Sequence, residues 1–97
     1  MVKRVIWSER AKNERREILE FWRKHSGNKT FSKKLSKEFR EATNLLSRFN
    51  YLGIKTDESG IRMTVVRHYL IFYQVQEQHI QIITLWDSRR NPDTLKG

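Results

Sequence analysis

Several side chains in the second half of the chain could bind a phosphate or act on one. Arginine can stabilise negative charge that develops on a reacting phosphoryl group. Histidine has an ordinary pKa of about 6.5, which suits proton transfer near neutral pH, whereas lysine could act as a base only if its pKa were lowered. The candidate catalytic residues are therefore Arg62, Arg67 and Arg89, with His68 and Lys55 as weaker candidates.

The elements that position these residues are predicted to be the strands of a small sheet. Side chains alternate in type through three short runs within residues 62–92, which indicates three strands in succession. The middle run, residues 69–75, is apolar on both faces and is therefore predicted to be the central strand. Residues 53–61 contain two glycines and no periodicity, so they predict an exposed loop.

The ends of the predicted strands decide whether the candidate residues meet. Arg67 and His68 occupy the short connection before the central strand, and Arg89 follows the end of the last strand. Arg62, Arg67 and Arg89 could converge near one end of the sheet, but only if the strand register brings them there. An exposed turn residue is the favoured interpretation of His68, and Lys55 on the predicted loop is free to reach a partner.

Two amphipathic helices are predicted ahead of the sheet. In the first, apolar residues recur at helical spacing over residues 11–22, with Ser8 as the N-cap and Gly27 as the stop. In the second, apolar residues step by three or four positions over residues 31–49. Both stripes are expected to be core, because a chain of 97 residues needs most of its large apolar side chains inside.

Residues 2–7 predict a further short strand before the first helix. The order of elements is then strand, helix, helix and three strands, which predicts an α+β fold. We expect a single domain over residues 1–97, in which an N-terminal strand is followed by a helical hairpin and then by three C-terminal antiparallel strands packed on the helices.

The composition is strongly basic. Twenty Lys and Arg against eleven Asp and Glu give a formal net charge of +9, and residues 1–50 hold fourteen of those basic and six of those acidic side chains. The electrostatic field of such a positive charge attracts polyanions, whether nucleic acid, an acidic protein or an anionic surface. A basic surface that serves only solubility is the alternative interpretation.

Other classes of site and location are not expected. The chain has no cysteine, which excludes disulfides and thiolate metal sites, and histidines 25, 68 and 79 do not have the spacing of metal ligands. No glycine loop suited to cradling phosphates is present, so we expect neither a metal nor a cofactor. No apolar segment approaches the roughly 20 residues that span a bilayer, and we expect a cytoplasmic protein without membrane contact.

Two stretches are similar to a known family. Residues 67–73, Arg-His-Tyr-Leu-Ile-Phe-Tyr, resemble an Arg-x-Tyr-x-Ile-x-Tyr strand, and residues 86–92, Trp-Asp-Ser-Arg-Arg-Asn-Pro, resemble a terminal Arg-x-Pro element. With the order of elements, the chain resembles the RelE/ParE superfamily of bacterial type II toxins over nearly its whole length. The resemblance implies a toxin that arrests growth, and a cognate acidic antitoxin that neutralises it and forms an oligomer with it.

The resemblance leaves the target open between the ribosome with its mRNA and DNA gyrase, because the superfamily includes RelE-like ribosome-dependent mRNA endonucleases and ParE-like gyrase poisons that do not cleave RNA. Metal-free RNA cleavage needs a group that activates the 2′-hydroxyl, one that stabilises the phosphorane and one that protonates the leaving oxygen, and arginine directly supplies only the second. RelE-type nucleases commonly carry a tyrosine or histidine in the short carboxyl-terminal tail, and residues 93–97 contain neither. We therefore favour the ParE-like function; a RelE-like endonuclease is the alternative, and a basic nucleic-acid-binding module without toxin activity is the second alternative.

Two further predictions concern charged side chains. Lys33, Lys37 and Arg40 on the exposed face of the second helix, together with Arg90, are the candidates for binding the antitoxin or nucleic acid. For Asp87, a local ion pair that fixes the tail is favoured over a role in a site.

Overall fold

The computed structural model describes residues 2–25 and 29–89 of the chain. Its elements, in chain order, are β1 (Arg4–Trp7), α1 (Glu9–His25), α2 (Thr30–Arg48), β2 (Ile54–Lys55), β3 (Arg62–Val66), β4 (Tyr69–Val75) and β5 (His79–Asp87). This is the predicted α+β order, with β2 added inside the segment that the sequence predicts to be a loop.

The strands of the described residues form one five-stranded sheet in the order β1-β5-β4-β3-β2. The three C-terminal strands pair antiparallel, as predicted, and β1 joins the sheet parallel to β5. The sheet is therefore mixed, and the connection from β1 to its parallel neighbour β5 runs through both helices and through β2, β3 and β4. The prediction that residues 53–61 are entirely a loop was wrong, since Ile54 pairs with Met63 and Lys55 with Arg62.

The hydrophobic core lies between the helical hairpin and one face of the sheet. Leu35, Phe39 and Leu46 of α2 are buried, and they pack with Ile71 and Tyr73 of the central strand β4. Burial of these large side chains removes apolar surface from water and supplies most of the driving force for folding. Phe49, which the helical stripe assigns to the core, is instead exposed, because α2 ends at Arg48 and the chain turns away there.

The start of α1 follows the sequence prediction closely. Ser8 Oγ accepts a 3.0 Å hydrogen bond from the N–H of Ala11, which is the N-cap geometry, and its hydroxyl donates to the carbonyl oxygen of Ile83 at 2.8 Å. One side chain therefore caps the helix and joins it to β5. The predicted stop at Gly27 lies outside the described residues.

No helix within residues 2–25 and 29–89 has the length and apolar character needed to cross a membrane.

Candidate functional site

Three of the candidate residues lie at one end of the sheet, where the β3–β4 hairpin meets the end of β5. Arg67 occupies the hairpin turn with a positive φ of 57°, and His68 follows it. The N–H of Ser88 donates a 2.8 Å hydrogen bond to the carbonyl oxygen of His68, which holds the segment after β5 beside the hairpin. Antiparallel pairing of β4 with β5 places the start of the first strand against the end of the second, so Arg67, His68 and Arg89 share this end.

Arg67 is held in a bidentate ion pair with Glu38 of α2. Its Nε lies 2.7 Å from one carboxylate oxygen of Glu38 and its Nη2 lies 2.8 Å from the other. The guanidinium also lies over the ring of Phe31, 5.1 Å from the centroid. The hydrogen bonds from Arg67 hold the pKa of Glu38 below its ordinary value. This arginine therefore connects the hairpin to α2.

Arg89 is also paired with a carboxylate. Its Nε and Nη2 donate to the two oxygens of Asp87 at 3.1 and 2.8 Å, and its backbone N–H donates to the same side chain at 2.9 Å. These hydrogen bonds from Arg89 lower the pKa of Asp87, so the carboxylate stays ionised. The geometry agrees with the predicted local ion pair.

His68 is half-buried rather than an exposed turn residue. Its ring lies 4.2 Å from the ring of Tyr69 and 6.3 Å from that of Trp22, measured between centroids. Within the described part of the chain, its buried Nε2 has no hydrogen-bond partner. Burial, and then the positive charge of Arg89, lower the pKa of His68, so the ring is neutral at neutral pH.

The remaining two candidates lie at the opposite end of β3. Arg62 begins the strand that Arg67 follows, and five residues at about 3.4 Å each separate their backbones by roughly 17 Å. The Arg62 guanidinium donates to the carbonyl oxygen of Gly53 at 2.8 Å and that of Tyr51 at 3.3 Å. Arg62 and Lys55 line a cleft of about 330 Å³. The strand register therefore does not bring Arg62 to Arg67 and Arg89.

A second cleft, of about 460 Å³, lies beside α1 at the Arg67 end of the sheet. Asp87, Arg89 and the ring of Tyr69 line it, together with Glu14 of α1. Glu14 is held in place because one of its oxygens accepts hydrogen bonds from the hydroxyl of Thr84 at 2.7 Å and the N–H of Leu85 at 3.0 Å. Sequence reasoning missed Glu14 and Glu38, since their partners lie 71 and 29 residues away and no local spacing indicates them.

The predicted binding cations of α2 are exposed. Lys33, Lys37 and Arg40 take part in no ion pair with another described residue, and they occupy one face of the helix. Arg90 lies outside the described residues. Among residues 2–25 and 29–89, no group of histidine and carboxylate side chains is arranged to hold a metal ion.

The family model described as ParE toxin of type II toxin-antitoxin system, parDE, matches residues 5–92. The chain belongs to this family. It is the toxin of a type II toxin–antitoxin system, and this family implies a cognate antitoxin partner. No curated protein matches the chain.

Solved structures of other toxins share the fold of this ParE-family member. The chromosomal ParDE system from P. aeruginosa aligns with a TM-score of 0.75 and 16% identity, covering 87% of this chain and 94% of that one. The YoeB dimer from Staphylococcus aureus aligns with a TM-score of 0.59 and 17% identity over 87% and 94% of the two chains. The E. coli DinJ-YafQ toxin-antitoxin complex gives a TM-score of 0.55 and 9% identity over 90% and 93%.

Proposed function

We propose that this ParE-family toxin arrests growth by binding DNA gyrase rather than by cutting RNA, and that an acidic cognate antitoxin neutralises it. The observation that carries the proposal concerns Arg67 and Arg89, which lie where the β3–β4 hairpin meets the end of β5. Each of these arginines is paired with a carboxylate. Arg67 is bound by both oxygens of Glu38, and Arg89 by both oxygens of Asp87. Both cations serve local structure, and a bidentate partner occupies the face with which each would clasp a phosphate.

Among the described residues at this end, the sequence offers His68 as the candidate for proton transfer, and its surroundings weigh against that role. The pKa of His68 is lowered by burial and then by Arg89, which reduces the protonated fraction of the ring at neutral pH, and its Nε2 is buried away from solvent, so both features weigh against a general acid here. Glu14 already accepts two hydrogen bonds from β5. Arg62 and Lys55 lie at the other end of β3 and cannot complete the set.

A RelE-like ribosome-dependent mRNA endonuclease is the second candidate, and one observation favours it. Arg67, His68 and Arg89 share one end of the sheet beside an open cleft. Binding of a message would then have to separate Arg67 from Glu38 and Arg89 from Asp87. Family membership argues against the other alternative, a basic nucleic-acid-binding module without toxin activity.

The positive charge of the toxin supports the proposal that its antitoxin is acidic. The chain carries a formal charge of +9, and Lys33, Lys37 and Arg40 present unpaired cations along one exposed face of α2 within the described residues. An acidic partner would be steered to that face and held partly by charge. The proposal locates the toxin in the cytoplasm, where both candidate targets work.

Two assays on the purified toxin test the target. In a bacterial translation reaction, primer extension maps the 5′ ends of the message with and without ribosomes; in a gyrase reaction, gel electrophoresis measures supercoiling and gyrase-linked DNA breaks. We expect an intact message and accumulated DNA breaks. New message ends that appear only with ribosomes, and that disappear in Arg67→Ala and Arg89→Ala, would establish the endonuclease instead.

A further inference from the structure

A group of exposed apolar side chains lies where α2 ends and the sheet edge begins. Leu45, Phe49, Tyr51, Leu52 and Ile54, which we call the 45–54 surface, are each 48–66% exposed. Single exposed apolar residues are ordinary on a protein surface, whereas a cluster of large ones marks an interaction site. Most of the exposed large apolar residues among residues 2–25 and 29–89 belong to this one stretch.

The backbone beneath these side chains is fixed by buried polar groups. The side-chain amide of Asn50 donates to the carbonyl oxygen of Leu46 at 2.9 Å, and the hydroxyl of Tyr73 donates to the carbonyl oxygen of Asn50 at 3.1 Å. The same hydroxyl accepts from the N–H of Gly53 at 2.8 Å, while Arg62 holds the Gly53 carbonyl oxygen. A surface whose backbone is already ordered loses little entropy when a partner binds.

The position of the surface leaves it open to a partner. Leu45 and Phe49 follow Glu38 at helical spacing, and the Glu38–Arg67 ion pair shows that this flank of α2 faces the β3–β4 hairpin. Ile54 lies in β2, an edge strand of the sheet, whose only strand neighbour among the described residues is β3. The surface therefore extends from the flank of α2 to the free sheet edge.

Charge indicates which kind of partner fits. Residues 42–56 include Arg48 and Lys55 but no acidic residue. Neither cation has an ion-pair partner among the residues that the structure describes. Arg48 also continues the basic face of α2, since it lies eleven residues after Lys37, close to three helical turns. A second copy of this chain would bring two molecules of charge +9 together, which opposes self-association.

We infer that the 45–54 surface docks an acidic segment of the cognate antitoxin that carries large apolar side chains. The apolar side chains of that segment bury Phe49, Leu52 and Ile54, while its carboxylates meet Arg48, Lys55 and the basic face of α2. This inference rests on the proposed neutralisation by an acidic antitoxin and names the surface that it uses.

The test measures the affinity of the purified toxin for the purified cognate antitoxin by isothermal titration calorimetry. The double variant Phe49→Ser/Leu52→Ser should bind about 100-fold more weakly, because buried aromatic and aliphatic anchors dominate binding energy. The matched control is Phe21→Ser, which removes an equally large side chain that is 44% exposed on α1. It should bind within about twofold of the wild type.

A charge-reversal variant provides independent support. Arg48→Glu/Lys55→Glu changes only exposed side chains, so it should fold as the wild type does, as checked by circular dichroism. It should bind the antitoxin at least about tenfold more weakly at low salt, with a smaller difference at high salt because screening weakens exposed charges.

Three outcomes would overturn the inference. Both double variants could bind as tightly as the wild type, or Phe21→Ser could lose as much affinity as Phe49→Ser/Leu52→Ser. Light scattering could instead show a dimer of the free toxin that Phe49→Ser/Leu52→Ser dissociates, which would make a second copy the occupant. The gyrase reaction without antitoxin separates these results from the proposed function. If the toxin causes DNA breaks but its variants bind the antitoxin as tightly as the wild type does, the inferred docking surface is refuted and the proposed function is not.

Discussion

A hydrogen bond of 2.8 Å joins the N–H of Gly53 to the phenol oxygen of Tyr73, and it connects the segment before β2 to the centre of the sheet. The ring and hydroxyl of Tyr73 lie so close to Gly53 that a Cβ built there would be 2.7 Å from them and from the carbonyl oxygen of Met63. The central strand thus determines where the 45–54 surface lies.

The hydroxyl of Tyr73 should contribute to stability. In Tyr73→Phe, the buried N–H of Gly53 and carbonyl oxygen of Asn50 lose their partner, and we expect the free energy of unfolding to fall by about 1–3 kcal/mol. Urea denaturation measures the change. Tyr51→Phe is the control, because Tyr51 is 66% exposed, and it should change stability by less than about 0.5 kcal/mol. Equal effects of the two substitutions would contradict the role of the buried hydroxyl.

A side chain at Gly53 should destabilise the fold. A Cβ in Gly53→Ala would overlap backbone and ring atoms that cannot move independently, so we expect a loss of about 1–3 kcal/mol of unfolding free energy. Ser59→Ala, on the exposed loop before β3, is the control and should be near neutral. Wild-type stability of Gly53→Ala in urea would mean that Gly53 and Tyr73 do not approach so closely.

Ser8 should stabilise the start of α1. Replacing it with alanine removes both the cap on Ala11 and the hydrogen bond to Ile83, and we expect the free energy of unfolding to decrease by about 1 kcal/mol or somewhat more. Thermal unfolding monitored by circular dichroism measures this loss. Ser8→Asp retains a capping oxygen and should recover part of the stability, whereas no difference between the aspartate and alanine variants would argue against the cap.

His68 should make stability depend on pH. Burial, and then the charges of Arg89 and Arg67, lower the pKa of His68 in the folded state below its ordinary 6.5, and Asp87 offsets this only in part. The unfolded chain therefore binds this proton more readily, so the contribution of neutral His68 to stability is fully present above about pH 6.5 and is lost as pH falls through the folded pKa.

Urea denaturation at several pH values checks this dependence. The fall in unfolding free energy just below about pH 6.5 should be shallower in His68→Phe, which has no proton to bind. Ser59→Ala, which changes no titratable group, should keep the wild-type slope. A slope that is unchanged in His68→Phe would show that another group causes it.

Much of the fold could be predicted from the sequence because its signals are local. The alternation in residues 69–75 indicates the central strand, and Ser8 caps α1 as predicted. The short strand β2 was missed, because two residues have too little periodicity to distinguish a strand from a loop. Phe49 was wrongly placed in the core, since apolar spacing on a helix does not show where the helix leaves the sheet.

The candidate site was predicted less completely. Arg67, His68 and Arg89 were chosen as candidates by residue type, and their role stays a prediction; the local Asp87–Arg89 pair was anticipated. The partner of Arg67 was not predicted, because Glu38 lies 29 residues away on α2 and no local sequence pattern relates it to the hairpin. The expectation that Arg62 could join Arg67 and Arg89 failed because β3 separates the two ends of the sheet.

The sequence by itself determined the order of the elements, the central strand, the basic charge and the resemblance to type II toxins, since each depends on residue types and on spacings within one element. Only the tertiary structure decided that Glu38 binds Arg67, that β1 lies parallel beside β5 and that Tyr73 holds Gly53. These contacts join elements far apart in the chain, and they depend on strand register and helix packing, which local periodicity does not specify.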